Sequence, residues 1–116
     1  MTVNRIVVNF PMGDGKQAKA FYQQVLDLDV VMDQGWIVTL ASHQVSHPQL
    51  SIMSEGGAGA VIPDVSIDVD DVDAVYKKAT MFGGEIVYEL RDEPWGVRRF
   101  FVRDPLGKIL NIMSHL

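Results

Sequence analysis

Residues 95–113 read Trp95-Gly96-Val97-Arg98-Arg99-Phe100-Phe101-Val102-Arg103-Asp104-Pro105-Leu106-Gly107-Lys108-Ile109-Leu110-Asn111-Ile112-Met113. Within this stretch, Pro105 and Gly107 occupy the second and fourth places of Asp-Pro-Leu-Gly. These are the places that a tight turn favours, because proline presets φ and glycine tolerates the exit geometry. The runs on either side are rich in Phe, Val and Ile, which favour strands. The stretch therefore predicts a β-hairpin.

The alternation of the two predicted strands places Arg99, Phe101 and Asn111 on one face of the hairpin, because successive side chains of a strand point to opposite faces. The other face carries mainly apolar residues. Polar side chains between apolar neighbours on a sheet face are candidates for chemistry, so we take this face as the first place to look for a functional site.

Composition limits the possible classes of protein. The length of 116 residues predicts one domain, or two very small ones fused. The chain contains no cysteine, which excludes disulfides and thiolate chemistry. The net charge of −5 argues against nucleic acid as a partner, because nucleic-acid binding requires a basic face. No stretch approaches the roughly 18 apolar residues of a membrane span, and the N-terminus does not resemble a targeting segment. We expect a soluble cytoplasmic protein with no membrane partner.

The first module, residues 1–55, predicts the order βαβββ. A helix over about 15–26 follows from the apolar spacing of Ala18, Tyr22 and their neighbours, with Asp14 as its N-cap. Four strands are predicted at about 3–10, 29–33, 36–41 and 49–54.

The second module, residues 61–116, repeats this order after a Gly-rich linker. Asp70 or Asp71 caps its helix, and Gly83-Gly84 ends it. Four strands are predicted at about 64–69, 85–90, 98–103 and 108–114. A single domain composed of two modules follows. Neither module could bury its own sheet alone, which favours pairing of modules within a chain or between chains.

Three features together resemble a known family: the paired βαβββ modules, the aromatic pair in Phe21-Tyr22-Gln23-Gln24-Val25-Leu26, and the hairpin motif Arg103-Asp104-Pro105-Leu106-Gly107. They resemble the vicinal oxygen chelate superfamily of glyoxalase I, bleomycin-resistance proteins and extradiol dioxygenases. The lead from Trp95 to Phe100 is most similar to the bleomycin-resistance branch. The resemblance implies an α+β fold of curved mixed sheets with helices on their convex sides. It also implies a homodimer with sites at the subunit junction.

Enzymes of this superfamily hold a divalent metal with His, Gln or Glu from the first and last strands of each module. The resemblance places these positions at Val7 (or Arg5), Ser51 (with Glu55 at the strand end), Asp64 and Asn111. Among these four positions only Asp64 offers a good ligand for a hard cation, and one carboxylate does not make a site. We therefore predict no metal ligands.

Other chemistry-bearing residues receive simpler interpretations. His43 and His47 are predicted to lie solvated in a loop, and His115 to fray near the end of the chain. The acidic residues at 64, 68, 70, 71 and 73 do not have the spacing of an EF-type calcium loop. Arg99 has two open interpretations: an ion pair with Asp64 that closes the site, or a group that binds an anionic ligand.

The favoured function is a metal-free small-molecule binding protein of the resistance type, with no cofactor. Its negative charge suits a cationic or aromatic ligand, which the loop residue Trp95 could contact. The alternative is a metal-dependent lyase or dioxygenase with one divalent ion and atypical ligands. No catalytic residue is assigned, and the ligand stays open. The predicted ligand-binding residues are Trp95, Arg99, Phe101, Asn111, Asp64, Trp36 and Ser51.

Overall fold

The computed structural model describes residues 1–43 and 48–116, so His47 and its predicted loop pairing with His43 lie outside the described residues. The elements that it describes run in the order βαβββ–βαβββ. They are β1 (Val3–Pro11), α1 (Gly15–Leu26), β2 (Asp29–Asp33), β3 (Ile37–Ala41), β4 (Gln49–Met53), β5 (Val65–Val69), α2 (Val72–Phe82), β6 (Glu85–Glu93), β7 (Val97–Arg103) and β8 (Ile109–His115).

Contacts divide the chain into two compact units. The N-terminal unit comprises Val7–Ile62, and the C-terminal unit comprises Met1–Ile6 together with Pro63–Leu116. The strand β1 is therefore shared, with its first residues in the C-terminal unit. Thr2 fastens this first segment by two hydrogen bonds to Asp70, since its N–H donates to Asp70 Oδ1 and its carbonyl accepts from the Asp70 N–H.

Both units have the same mixed strand pattern. In the N-terminal unit the order is β2-β3-β4-β1, and in the C-terminal unit it is β6-β7-β8-β5. In each, the first strand pairs parallel with the fourth, whereas the remaining pairs are antiparallel. The predicted α+β fold of two βαβββ modules is confirmed.

Each unit carries one helix on one face of its sheet, and that face forms the core. In the N-terminal unit, Ala18 and Tyr22 of α1 pack on a buried cluster of strand residues that includes Leu40 and Ile52. In the C-terminal unit, Tyr76 of α2 stands edge-to-face on Phe100 of β7. The opposite face of each sheet carries no helix, and we call it the helix-free face.

Local signals set the helix ends. The carboxylates of Asp14 and Asp71 accept hydrogen bonds from backbone N–H groups in the first turns of α1 and α2, so the predicted N-cap of α1 is confirmed and the cap of α2 is Asp71. Gly83 ends α2 at φ +86°, a conformation that glycine adopts without steric cost.

Two expectations about strand ends need correction. β6 extends to Glu93 instead of about residue 90, because its last residues pair with β7 across the short turn at Trp95. His115 was expected to fray, but it is the last residue of β8 and lies opposite Val97. The ladder with β7 keeps the end of β8 in the sheet.

Candidate functional site

The helix-free face of the C-terminal unit carries buried polar residues at positions that strand alternation directs away from α2. Arg99 and Phe101 alternate with Phe100, which belongs to the helix-side core. Glu93, Arg99 and Asn111 are all buried, with 3%, 2% and 5% of their surface exposed. Burying charged side chains is costly unless they are paired, so their partners identify what holds this face together.

Arg99 and Glu93 form a buried ion pair. The Arg99 Nη2 donates to Glu93 Oε2 at 3.1 Å, and the side chains are 2% and 0% exposed. The hairpin geometry explains the contact, because β6 ends at Glu93, the turn follows, and β7 brings Arg99 back along the same face. Burying such a pair costs much desolvation free energy. Removing one partner therefore destabilises the fold strongly, even though the intact pair contributes little net stability.

Three aromatic rings surround the Arg99 guanidinium. Its Cζ lies 4.9 Å from the ring centroid of Tyr88, 4.9 Å from Trp95 and 4.8 Å from Phe101. A cation over the face of an aromatic ring is attracted by the ring quadrupole. Tyr88, Trp95, Phe101, Arg99 and Glu93 therefore form one assembly, which we call the arginine cage.

Two further groups hold the Glu93 carboxylate. The Tyr88 hydroxyl donates to Glu93 Oε1 at 3.0 Å, and Arg91 Nε forms an ion pair with the same oxygen. Both Glu93 oxygens are thus engaged, one by Arg99 and one by Tyr88 and Arg91. Sequence interpretation missed Glu93, Tyr88 and Arg91. The sequence could have indicated them through the hairpin, because a turn centred on Trp95 places Arg91 opposite Arg99.

Asn111 lies beside the cage in a row of four residues that are directly opposite one another. Across β5, β8, β7 and β6 this row runs Ser66, Asn111, Phe101 and Tyr88, and we call it the C-terminal row. Asn111 Nδ2 donates to Ser66 Oγ at 3.0 Å and contacts Met113 Sδ at 3.9 Å. Among the described residues, its buried Oδ1 has no hydrogen-bond partner.

Of the two interpretations left open for Arg99, the structure contains an ion pair, but its carboxylate belongs to Glu93 and not to Asp64. Asp64 precedes β5, is exposed, and uses its carboxylate to accept a hydrogen bond from the Ile109 N–H at 2.8 Å. Asp64 therefore fixes the start of the β5–β8 pairing, while Glu93 neutralises Arg99. Of the predicted ligand-binding residues, the structure brings together Trp95, Arg99, Phe101 and Asn111.

Ser51 and Trp36 belong to the N-terminal unit. Ser51 lies in a second row, which runs Asn9, Ser51, Thr39 and Met32 across β1, β4, β3 and β2, and which we call the N-terminal row. The hydroxyls of Ser51 and Thr39 are buried and hydrogen-bonded to each other at 2.8 Å. Half-buried Trp36 precedes β3, and its carbonyl accepts a hydrogen bond from the Ser54 N–H.

The two rows show which first-strand residues pair with Ser51 and Asn111. Opposite Ser51 lies Asn9, two residues beyond Val7, and opposite Asn111 lies Ser66, two residues beyond Asp64. The four positions thus hold two amides and two hydroxyls, which are weak neutral ligands for a divalent ion. Residues 1–43 and 48–116 contain no group of three or more His, Cys, Asp or Glu that could hold a metal. The donor set does not fit a divalent metal centre.

The family model of the Glyoxalase/Bleomycin resistance protein/Dioxygenase superfamily matches residues 3–112. The chain therefore belongs to this superfamily, which confirms the resemblance inferred from its motifs. None of the curated proteins is significantly similar to it.

Solved structures with the same fold share few residues with this chain. A structure titled NAD-dependent benzaldehyde dehydrogenase from Legionella pneumophila has a TM-score of 0.75 at 16% identity, covering 97% of this chain and 100% of that one. A superfamily member from Vibrio splendidus 12B01 has a TM-score of 0.68 at 16% identity, with coverages of 99% and 100%. Methylmalonyl-CoA epimerase from Mycobacterium tuberculosis has 0.67 at 18%, with coverages of 98% and 87%. These likenesses concern the fold.

The described part of the chain has no helix long and apolar enough to cross a membrane.

Proposed function

We propose that this protein binds a small molecule on the helix-free face of its C-terminal unit, through neutral polar groups and without a metal ion. The observation that carries the proposal is Asn111, whose Oδ1 is buried and has no partner among the described residues. A buried polar atom without a partner costs about 1–3 kcal/mol. A ligand that donates a hydrogen bond to this oxygen would recover that cost.

The orientation of the Asn111 amide supports this assignment. Its nitrogen faces Ser66 Oγ and Met113 Sδ. A thioether sulfur carries no proton and can only accept, so the amide places its nitrogen there and its oxygen elsewhere. The free function is therefore an acceptor. A ligand with an N–H or O–H group matches it, and an anion without a donor does not.

The arginine cage changes the role expected for the aromatic residues. Trp95 and Phe101 were predicted to bind the ligand, but each has the Arg99 guanidinium over its ring. In our proposal these rings position Arg99 and close one side of the face. Partly exposed Trp95 and Tyr88 remain the aromatic side chains at its margin, and an aromatic ligand body would pack there.

Three matched probes test the proposal, because they share one ring and differ in the end group. Benzamidine is a cationic donor, benzamide a neutral donor, and benzoate an anion without a donor. We expect benzamidine and benzamide to shift the NMR signals of the Asn111 side-chain amide and the Trp95 indole, and benzoate to shift neither. Replacing Asn111→Leu removes the acceptor at similar volume, and should abolish the shift of the Trp95 indole signal with both donor probes.

The control variant is Ser51→Ala, which alters the N-terminal row and should leave probe binding unchanged. Perturbation of Asn111 by benzoate alone would overturn the assignment of a donor ligand. Probe binding that persists in Asn111→Leu, or that avoids Asn111 and Trp95, would overturn the proposed site.

A further inference from the structure

The most exposed large apolar side chains of the described residues belong to two segments of the C-terminal unit. Leu106, Phe82 and Met81 are 84%, 83% and 80% exposed, more than any other large apolar residue in the described part of the chain. Met81 and Phe82 end α2, and Leu106 lies in the turn between β7 and β8. Apolar side chains that are exposed together mark an interaction surface.

The strand register brings these two segments to the same end of the sheet. Glu85 at the start of β6 lies opposite Arg103 at the end of β7, so the chain enters β6 beside the turn that leaves β7. Arg103 holds both segments in place, since its Nε donates to Glu85 Oε2 at 3.2 Å and its Nη1 donates to the Gly107 carbonyl at 3.1 Å. We call the three exposed side chains, Met81, Phe82 and Leu106, the apolar tip.

Three lysines lie beside the apolar tip. Lys77 and Lys78 precede the two apolar residues of α2 by four positions each, which places them on the same side of the helix. Lys108 follows the turn that carries the third apolar residue. All three lysines are exposed, and among the described residues their side chains have no ion-pair partner. The apolar tip is therefore rimmed by positive charge.

The carboxylates at this end of the unit leave the lysines unneutralised, because they have other partners. Glu85 pairs with Arg103. The Asp104 carboxylate accepts hydrogen bonds from two backbone N–H groups of its own turn, and Asp64 accepts one from a backbone N–H at the start of β8. The net charge of the chain is −5, but salt screens exposed charges more than about 10 Å away. The lysines thus determine the local sign.

We propose that the apolar tip and its lysines bind the surface of an anionic lipid membrane. The apolar side chains enter the boundary between headgroups and acyl chains, and the lysines contact the anionic headgroups. Lipids close around protruding side chains, whereas a folded protein partner must offer a matching pocket. The expectation of no membrane partner rested on the length of apolar stretches in the sequence, and binding at the surface requires no such stretch.

The N-terminal unit provides a comparison within the chain. Each helix has a tyrosine that packs on the core of its unit. In α2 this tyrosine is followed by Lys77 and Lys78, whereas in α1 it is followed by Gln23 and Gln24. The repeated fold therefore does not require lysines at these positions, and glutamine is a substitution that preserves the helix.

The test is cosedimentation of the full chain with vesicles of phosphatidylcholine alone or mixed with phosphatidylserine, at low and at high salt. We expect binding to the phosphatidylserine vesicles that salt weakens, and no binding to phosphatidylcholine alone. The variant Lys77→Gln with Lys78→Gln should weaken binding about 25-fold, at about fivefold for each lysine. Phe82→Ser should also weaken binding, although it leaves the charge unchanged.

The control variant is Lys16→Gln with Lys19→Gln, which removes the same charge from α1 and should leave vesicle binding unchanged. Absence of binding to phosphatidylserine vesicles, or equal weakening by the control, would overturn the proposal. Binding to soluble polyglutamate in place of vesicles would assign the surface to an acidic protein instead. A dimer that Phe82→Ser dissociates in analytical ultracentrifugation, without vesicle binding, would assign it to a second copy of the chain.

Discussion

The N-terminal and C-terminal rows occupy the same places in two repeats of one fold, yet they satisfy their polar groups in different ways. In the N-terminal row, Thr39 and Ser51 are small, and their hydroxyls bond each other. In the C-terminal row, the places of Thr39 and Ser51 are taken by Phe101 and Asn111, and Phe101 belongs to the arginine cage. The backbone pairing is shared, while the chemistry is not.

This difference teaches that the strand register of the βαβββ repeat does not dictate a site by itself. The hydroxyls of Thr39 and Ser51 satisfy each other by one hydrogen bond. The C-terminal row depends on an ion pair, on three rings and on Ser66, and it still leaves one acceptor unpartnered among the described residues. The N-terminal row also contains a buried amide, Asn9, so our proposal of ligand binding in the C-terminal unit rests on the position of Asn111 beside the arginine cage.

The largest effect should come from breaking the arginine cage. Glu93→Ala leaves the buried Arg99 guanidinium without its carboxylate, and we expect a loss of about 3–5 kcal/mol in the free energy of unfolding. Urea denaturation of the purified variant measures it. The partners Tyr88 and Arg91 are partly exposed and can turn to water, so the unpaired Arg99 dominates the cost.

A double variant sharpens this result. Glu93→Leu with Arg99→Met replaces both charges by apolar groups, and removal of a whole buried pair is often close to neutral. We expect the double variant to be more stable than Glu93→Ala. The single variants Glu93→Leu and Arg99→Met serve for comparison. If the double variant lost as much free energy of unfolding as these two single variants added together, the pair itself, and not the avoidance of an unpaired charge, would stabilise this unit.

A smaller effect is expected in the N-terminal row. Thr39→Val leaves the buried Ser51 hydroxyl without its partner, and should lower the free energy of unfolding by about 1–2 kcal/mol. Adding Ser51→Ala removes the orphaned hydroxyl, and should restore part of the loss. Thermal or urea unfolding of the wild type, Thr39→Val and the double variant measures these differences in the free energy of unfolding. If Thr39→Val lowered the free energy of unfolding as much as Glu93→Ala does, the proposed difference between the two rows would be contradicted.

Much of the fold follows from local sequence signals. Asp14 ahead of an apolar helical spacing and Gly83 after one predict the helix ends, and Asp-Pro-Leu-Gly predicts the turn between β7 and β8. The shared face of Arg99, Phe101 and Asn111 follows from strand alternation alone. These features depend on residues close together in the chain, so they can be predicted from the sequence.

The parts that failed depend on long-range pairing. Counting along the first strands indicates Val7 and Asp64, and it could not show that Asn9 and Ser66 are the residues paired with Ser51 and Asn111. The parallel register of a first strand with a fourth is set by contacts some 45 residues apart, and no local pattern encodes it. Glu93 was missed because its role exists only once β6 and β7 are paired.

The measurement that tests the absence of a metal centre most directly is metal analysis of protein purified without chelator, followed by thermal melting with Mn²⁺, Fe²⁺, Co²⁺, Ni²⁺ and Zn²⁺ added singly. The neutral positions Asn9, Ser51, Ser66 and Asn111 predict no near-stoichiometric metal and no rise in Tm specific to one ion. A stoichiometric metal, or a rise in Tm with one ion that Asn111→Leu removes, would contradict the account and establish these rows as a metal centre.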